Sequence, residues 1–264
     1  MYLIDYHTHS LCSFDGCETL SDMAAAAAMA GMGELCLTDH CDLIDEYGRS
    51  DRSFSWSPVE EQLSLARPAS PLPIRMGLEL GEPWEDPSLA AAITAHPELD
   101  FVIGSVHNLP LSDGGTDLFH IHYDSAARCH EVLHAYFSCM EALSAMDCYD
   151  VLGHVIYPLR YMNDRDGNAV SLSSYFQRLE GIFRAVITAG KGIEVNTCRG
   201  QTVEQWREVL GLYKDCGGRI VTLGSDAHKT ADIGKGIPEA AALLKEYGFS
   251  LALYEKRQPR LISL

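Results

Sequence analysis

Residues 2–10 read YLIDYHTHS, and residues 220–228, a stretch of the same character, read IVTLGSDAH. Each is a short, β-prone apolar run that ends in an acid and histidine at alternate positions. Residues two apart in a strand share a face, so Asp5, His7 and His9 project together, as do the acid and histidine of the second stretch. Carboxylate and imidazole groups aimed at one point suit a divalent metal ion. The two stretches therefore predict a metal site that joins distant parts of the chain.

Strands and helices alternate along the rest of the sequence. Short apolar runs predict buried parallel strands, and helical stretches lie between most of them. Such alternation is typical of a parallel sheet with right-handed crossovers. We leave open whether residues 254–264 add an eighth strand or form a tail. The predicted strands are residues 2–6, 34–38, 74–79, 101–105, 151–153, 192–196 and 219–224.

Polar residues at the strand ends distinguish between a barrel and an open sheet. Catalytic groups collected from the carboxyl ends of many strands are typical of TIM-type barrels, whereas an open sheet concentrates them at one switch point. We therefore predict an α/β fold, a TIM-like barrel of seven strands, with residues 1–264 forming one domain. The strand-end residues are Asp5, His7, His9, Asp39, His40, Glu79, His107, His154, Glu194, Asn196, Asp226 and His228.

Charge and composition exclude several classes of partner. The formal net charge is -17, which disfavours binding to nucleic acid or to anionic membranes. A small anionic substrate would need local positive charge from metal ions and arginines. No signal peptide is apparent, and the nine cysteines form no C-x-x-C pair, so we expect reduced thiols and a cytoplasmic location. The oligomeric state is left open.

The eleven histidines fall into two groups. Six sit at or just past predicted strand ends, and a polynuclear metal centre that also uses Asp15, Glu79 and Asp226 is the simplest account of them. The others are expected on the surface or in a substrate pocket. That second group comprises His96, His120, His122, His130 and His134.

An ordered set of motifs in this chain resembles a known family. Together they are similar to the successive motifs of the PHP (polymerase and histidinol phosphatase) superfamily, over nearly the whole chain. The surroundings of Arg160 and Arg199 most resemble the histidinol-phosphatase branch. The motifs are Asp5-x-His7-x-His9, Thr38-Asp39-His40, Glu79, Gly104-Ser105-Val106-His107, Gly153-His154, Glu194-Val195-Asn196-Thr197 and Gly224-Ser225-Asp226-Ala227-His228.

The resemblance implies a distorted (β/α)7 barrel, the PHP fold, that holds three divalent transition metal ions. Zinc, iron and manganese all occur in the family. Asp5 and Asp39 are interpreted as groups that orient histidines, and Ile156 stands where many members have Asp. The implied ligands are His7, His9, Glu79 and Asp226 for the first ion, Glu79, His107 and His154 for the second, and Asp15, His40 and His228 for the third.

The resemblance also implies an activity, the hydrolysis of phosphate monoesters by a hydroxide that bridges two of the metal ions. The most similar branch hydrolyses L-histidinol phosphate to L-histidinol and phosphate, in histidine biosynthesis. Arg160 and Arg199 match positions expected to bind the substrate phosphate, and His107 is expected to contact the substrate. His228 is a candidate acid for the leaving alcohol. Two acids in the segment 108–123, Asp113 and Asp117, are candidate partners for the ammonium group of the substrate.

Three alternatives remain open at this point. A PHP phosphoesterase acting on another small phosphate, such as a nucleotide, is the nearest. A nuclease or proofreading module is disfavoured by the net charge. A non-catalytic, metal-bound scaffold is the alternative from a different class, and the nine filled ligand positions argue against it.

Overall fold

A computed structural model describes residues 1–264 of the chain. Strands and helices alternate as the sequence predicts. The strands are β1 (Ile4–Asp5), β2 (Glu34–Leu37), β3 (His40–Asp42), β4 (Ile74–Gly81), β5 (Phe101–Ser105), β6 (Val151–Leu152), β7 (Gly192–Asn196), β8 (Val221–Gly224), β9 (Leu251–Glu255) and β10 (Gln258–Ile262). The helices are α1 (Leu20–Met29), α2 (Trp56–Ala66), α3 (Pro87–Thr94), α4 (Ala126–Ser144), α5 (Tyr157–Leu159), α6 (Phe176–Thr188), α7 (Trp206–Asp215) and α8 (Ile237–Glu246).

The main sheet is parallel and runs in the order β1-β2-β4-β5-β6-β7-β8, with the short β3 also paired to β4. Its two outer strands approach each other, because the Tyr6 N–H donates to the Leu223 carbonyl oxygen at 2.9 Å. The Asp226 N–H likewise donates to the His7 carbonyl oxygen at 2.9 Å. The sheet is therefore a nearly closed barrel, and the predicted seven-stranded α/β barrel is confirmed, with β3 as an unpredicted addition.

The helices form where their sequences provide caps and one apolar face. Thr19 caps α1 by accepting a hydrogen bond from the Asp22 N–H. In α6, the side chains of Leu179, Ile182, Phe183 and Val186 recur at helical spacing and are all buried. These apolar faces cover the outside of the barrel, so its polar groups are free to gather at the carboxyl ends of the strands.

The last strands, β9 and β10, form an antiparallel hairpin outside the main sheet. The hairpin covers the amino end of the barrel, since the Lys256 and Arg257 N–H groups donate to Asp100, just before β5. Inside the barrel, the ring of Tyr254 packs against Phe101 at 4.8 Å between centroids. The residues whose role the sequence left open therefore form a plug and not an eighth barrel strand.

Two further features bear on the predicted class of protein. No helix of the structure has the length and apolar character needed to cross a membrane. None of the nine cysteines is joined to another by a disulfide in the structure, and reduced thiols stay a prediction.

The contact between β8 and β1 leaves no space for a side chain at Gly224. A Cβ atom there would lie 2.3 Å from the Cβ of His7 and 2.4 Å from Oε1 of Glu194. We predict that Gly224→Ala lowers the free energy of unfolding by about 1–3 kcal/mol, measured by urea denaturation, because the core is already filled. The matched control is Gly181→Ala in α6, where a Cβ would meet nothing within 4 Å. It should raise that free energy by about 0.5–1 kcal/mol, and equal effects of the two changes would contradict the prediction.

Candidate metal centre

The strand-end residues converge on one carboxylate, that of Glu79 near the end of β4. Its side chain is 1% exposed, and both oxygens face histidine rings. Oε1 lies 2.9 Å from Nε2 of His154 and 3.1 Å from Nε2 of His107. Oε2 lies 3.1 Å from Nε2 of His7, 3.2 Å from Nδ1 of His40 and 3.5 Å from Nε2 of His9.

The other two predicted carboxylates lie beside the same histidines. Oδ1 of Asp226 is 3.6 Å from Nε2 of both His7 and His9, which places it across the barrel seam. Oδ2 of Asp15 is 3.0 Å from Nε2 of His228, and Oδ1 is 3.8 Å from Nε2 of His40. The structure therefore brings all nine predicted metal ligands into one cluster.

The donor set fits metal ions, because buried atoms in it lack ordinary hydrogen-bond partners. Buried polar atoms without partners are rare in folded proteins, and an ion is one way to satisfy them. Four groupings have donor atoms within 4.8 Å of one another: His7 with His9 and Glu79, Glu79 with His107 and His154, His9 with His40 and His228, and His40 with Asp42 and His107. The unpartnered atoms are Nε2 of His7, His9 and His228, Nδ1 of His40 and Oε2 of Glu79.

The electrostatics of the cluster keep Glu79 and His9 in the forms that metals bind, but act the other way on most of the remaining histidines. Burial would lower the pKa of these imidazoles, yet nearby carboxylates outweigh it and raise the pKa of His7, His40, His107 and His228. Burial alone would raise the pKa of Glu79, but His7, His107 and His40 surround it and hold that pKa well below its usual range. Burial, together with the neighbouring His228 and His40, lowers the pKa of His9 to about 3. An ionised carboxylate and a neutral imidazole both offer free lone pairs, so neither must lose a proton before it binds a cation.

A residue to which the sequence assigned no role, Glu194 in β7, holds two of the histidines. Its Oε1 lies 2.6 Å from Nδ1 of His7, and its Oε2 accepts a hydrogen bond of 2.9 Å from the His154 N–H. A carboxylate on the far nitrogen of an imidazole fixes its tautomer and ring orientation. The alternation of Glu194 and Asn196 in the strand is the signal that pointed to this side chain.

The two aspartates predicted to orient histidines behave differently. Asp39 acts through Ser13, whose hydroxyl donates to Asp39 at 2.7 Å and lies 3.0 Å from Nδ1 of His9. Asp5 contacts no histidine ring, so its predicted role is wrong. It accepts hydrogen bonds from the N–H and hydroxyl of Ser225 and from the Gly234 N–H. Asp5 therefore anchors the turn after β8, which carries Asp226 and His228.

Ile156, at the position where the family resemblance implies Asp in many members, is buried two residues after His154. Nδ1 of His154 is buried and has no hydrogen-bond partner. The apolar side chain of Ile156 cannot accept a hydrogen bond, which is consistent with this lone nitrogen.

Two acids near the cluster were missed by the sequence analysis. Asp42 lies between His40 and His107, and the alternation His40-Cys41-Asp42 repeats the pattern seen in the opening stretch. Glu82, fully buried with a φ of 51°, accepts from the N–H groups of His107 and Asn108. Burial, aided by the nearby Asp42, raises the pKa of Glu82 to about 8. No spacing pattern distinguishes Glu82 from an ordinary loop acid, so no feature of the sequence pointed to it.

The predicted phosphate-binding arginines reach the cavity above the cluster. Arg160 starts a π-helical turn, Arg160–Arg165, directly after α5. Its guanidinium donates to Asp226 at 3.0 Å and to Asn196 at 2.6 Å, and its side chain is only 10% exposed. Arg199 lies in the left-handed region at a φ of 58° and also lines the cavity.

The cavity has a volume of about 440 Å³ and opens over the carboxyl ends of the strands. His7 and His9 lie beneath its floor, whereas the other seven predicted ligands line it. Of the two acids predicted to bind an ammonium group, Asp117 lines the cavity and Asp113 does not. Its remaining walls are mainly aromatic and acidic, and include Phe14, Phe119, Tyr157, Tyr161, His120, Asp42 and Glu46.

The position of Glu79 generates a prediction about metal content. Glu79→Gln keeps the shape of the side chain but removes the charge that faces five histidines. We expect the purified variant to retain at least tenfold less bound transition metal than the wild type, measured by elemental analysis after dialysis, because an amide is a poor metal ligand. Asp113→Asn, at an exposed acid outside the cavity, is the control and should retain the wild-type content. Full metal content in Glu79→Gln would show that the cluster does not depend on this carboxylate.

The chain is similar to known proteins of one family. The model of the PHP domain matches residues 5–198. The chain is 27% identical to the histidinol-phosphatase of Lactococcus lactis, covering 94% of this chain and 93% of that protein. It is 26% identical to the "Probable histidinol-phosphatase" of Clostridium acetobutylicum, covering 97% and 98%.

Solved structures show the same relationship. The histidinol phosphate phosphatase of Lactococcus lactis, complexed with zinc, L-histidinol and phosphate, superposes with a TM-score of 0.79 at 26% identity, covering 98% of both chains. A structure from Listeria monocytogenes superposes with a TM-score of 0.68 at 16% identity, covering 89% of this chain and 99% of that one, and shows the shared fold alone. Since the family model covers well over half of the sequence, the chain belongs to the PHP domain family.

Proposed function

We propose that this protein is a histidinol-phosphatase, a metal-dependent hydrolase that converts L-histidinol phosphate and water to L-histidinol and phosphate. The observation that carries the proposal is the Glu79-centred histidine cluster on the floor of a cavity that two arginines also line. The whole-chain similarity to a Lactococcus lactis enzyme, described in complex with zinc, L-histidinol and phosphate, supports the choice of substrate. We treat residues 1–264 as one phosphoesterase domain, and a cytoplasmic location stays a prediction.

The nine predicted ligands would hold up to three divalent transition metal ions. His7, His9, Glu79 and Asp226 would hold the first, and Glu79 would be shared with a second ion at His107 and His154. The third would lie at Asp15, His40 and His228. When bound, such ions lower the pKa of a coordinated water and neutralise charge on phosphoryl oxygens. Zinc, iron and manganese all suit mixed imidazole and carboxylate ligands.

The two arginines supply the positive charge that the acidic chain otherwise lacks. Arg160 is held in place by Asp226 and Asn196, so its planar group is already oriented before substrate binds. A guanidinium presents paired N–H donors that match phosphoryl oxygens. Preorganised donors of this kind stabilise the charge that develops on those oxygens in the transition state.

His228 was predicted to act both as a ligand and as an acid. Its Nδ1 lies 3.0 Å from the Asp226 carbonyl oxygen, so only Nε2 faces Asp15 and the cavity. One nitrogen cannot hold an ion and a proton together. We therefore propose that His228 donates a proton to the leaving alcohol only when the third position, at Asp15, His40 and His228, holds no ion.

Asp117 is our candidate for recognising the ammonium group of histidinol phosphate. One of its oxygens accepts from the Phe119 N–H at 2.7 Å, and no lysine or arginine pairs with the carboxylate. Burial raises its pKa, which means that this charge is partly desolvated in the absence of a cation. A substrate ammonium group would supply the missing partner.

The central test is steady-state hydrolysis of several phosphoesters by metal-loaded protein. We expect kcat/KM for L-histidinol phosphate to exceed that for p-nitrophenyl phosphate by at least 100-fold, and exhaustive chelation to abolish both activities. Nucleotides form the third substrate class, and faster hydrolysis of one of them would favour a different PHP phosphoesterase. Activity that survives chelation would contradict the metal-dependent mechanism. A metal-loaded protein without any phosphatase activity would favour the alternative of a non-catalytic, metal-bound scaffold.

A second prediction concerns Asp117. Asp117→Asn should raise KM for L-histidinol phosphate roughly tenfold or more, because a hydrogen bond to a charged group contributes about 1.5–3 kcal/mol. The KM for p-nitrophenyl phosphate, which carries no ammonium group, should stay within twofold of the wild-type value. The neighbouring exposed acid provides the control, Asp113→Asn, which should change neither value. An equal rise in KM for both substrates would indicate that Asp117 shapes the cavity and does not bind the ammonium group of the substrate.

A further inference from the structure

The carboxylate of Asp42 lies between two histidines assigned to different metal positions. Its Oδ1 is 3.2 Å from Nδ1 of His107, and its Oδ2 is 3.3 Å from Nδ1 of His40. The side chains of Asp42, His107 and His40 are 14%, 8% and 12% exposed. Asp42 makes no ion pair with a lysine or arginine, so these imidazoles are its polar partners. The contact with His107 is a hydrogen bond, whereas Nδ1 of His40 makes none and also lies 3.2 Å from Oε2 of Glu79.

Each of these histidines turns its other nitrogen towards a proposed metal position. Nε2 of His107 faces Glu79 and lies 3.3 Å from Nε2 of His154, in the second position. Nε2 of His40 faces Asp15, in the third position. A neutral imidazole carries one proton, so donating Nδ1–H to a carboxylate leaves the lone pair of Nε2 free for a cation.

The strand pairing builds this arrangement and leaves room for it. β3 lies beside β4 in a register that sets His40 opposite Glu79 and Asp42 opposite Gly81. A Cβ atom at Gly81 would lie 2.2 Å from Oδ1 of Asp42, so only glycine allows the carboxylate to occupy this place. The short strand that the sequence analysis missed is thus the element that sets Asp42 between the two rings.

We propose that Asp42 is a positioning residue that fixes the Nδ1–H tautomer of His107 and holds Nδ1 of His40 beside the same carboxylate, and thereby links the loading of the second and third metal positions. The inference rests on the metal centre of the proposed function, and it concerns a residue outside the nine predicted ligands. Asp42 contacts neither the proposed phosphate site nor the first metal position.

The test is zinc binding by Asp42→Asn and Asp42→Ala, measured by competition with a chelator and by elemental analysis, without substrate. Asparagine keeps the shape but offers one acceptor oxygen and one donor group, so one histidine must accept at Nδ1 and place its proton on Nε2. We expect Asp42→Asn to lower the affinity for one zinc ion by about 10- to 100-fold, and Asp42→Ala to lower the affinity for two zinc ions by similar factors. The affinity at the first position should be unchanged in both variants.

A matched control and a spectroscopic readout separate positioning from a general structural role. Asp117 lines the same cavity but contacts no ligand histidine. The Asp117→Asn variant should therefore bind zinc as the wild type does. In zinc-loaded protein with 15N-labelled histidine, Asp42→Asn should lack one hydrogen-bonded Nδ1–H signal that the wild type shows.

Two outcomes would overturn the inference. One is wild-type affinity for every zinc ion in both Asp42 variants. The other is an equal loss of all ions together with a lowered melting temperature, which would indicate a structural role. Because zinc binding is measured without substrate, a failure to hydrolyse L-histidinol phosphate would count against the proposed function and leave this test intact.

Discussion

The buried negative charge of Glu79 is the constraint around which the rest of the site is arranged. A carboxylate that is 1% exposed is stable only when it is paired, and here five histidine rings surround it. Those rings come from β3 and from the segments that follow β1, β5 and β6, so the charge is compensated only when the barrel is assembled. The same arrangement keeps several imidazole nitrogens without hydrogen-bond partners, which is the condition that a metal ion relieves. Folding and the capacity to bind metal therefore depend on the same set of contacts.

The sequence predicted most of the fold and nearly all of the cluster, for a simple geometric reason. Parallel strands end at one edge, so alternate polar residues at those ends, such as His7, His9 and Asp226, must meet there. The roles of Glu194 and Asp42 were less visible, because each depends on which ring nitrogen it faces. That choice is made by side-chain rotamers and strand register, which the spacing of residues does not specify. Asp5 follows the same alternation as its neighbours, yet it serves the turn after β8.

The acidic surface and the anionic substrate of the proposed reaction are compatible because charge is organised locally. The chain carries a formal net charge of -17, but the floor of the cavity presents histidines together with Arg160 and Arg199. The rim adds acids such as Asp117 and Glu46, which suit a substrate that also carries a positive charge. A small molecule that carries both charges can thus be oriented by groups of opposite charge in one cavity, whereas a simple phosphate pairs only with the positive groups.

The hairpin of β9 and β10 has a consequence for how the protein is made. It seals the amino end of the barrel through Tyr254, Lys256 and Arg257, close to the carboxyl end of the chain. The seam between β1 and β8 likewise joins the first strand to one of the last. During synthesis, the nascent chain can therefore bury its central apolar residues fully only after β9 and β10 have left the ribosome. Until then the unfinished barrel exposes apolar surface and an unpaired β1 edge, and both features favour aggregation.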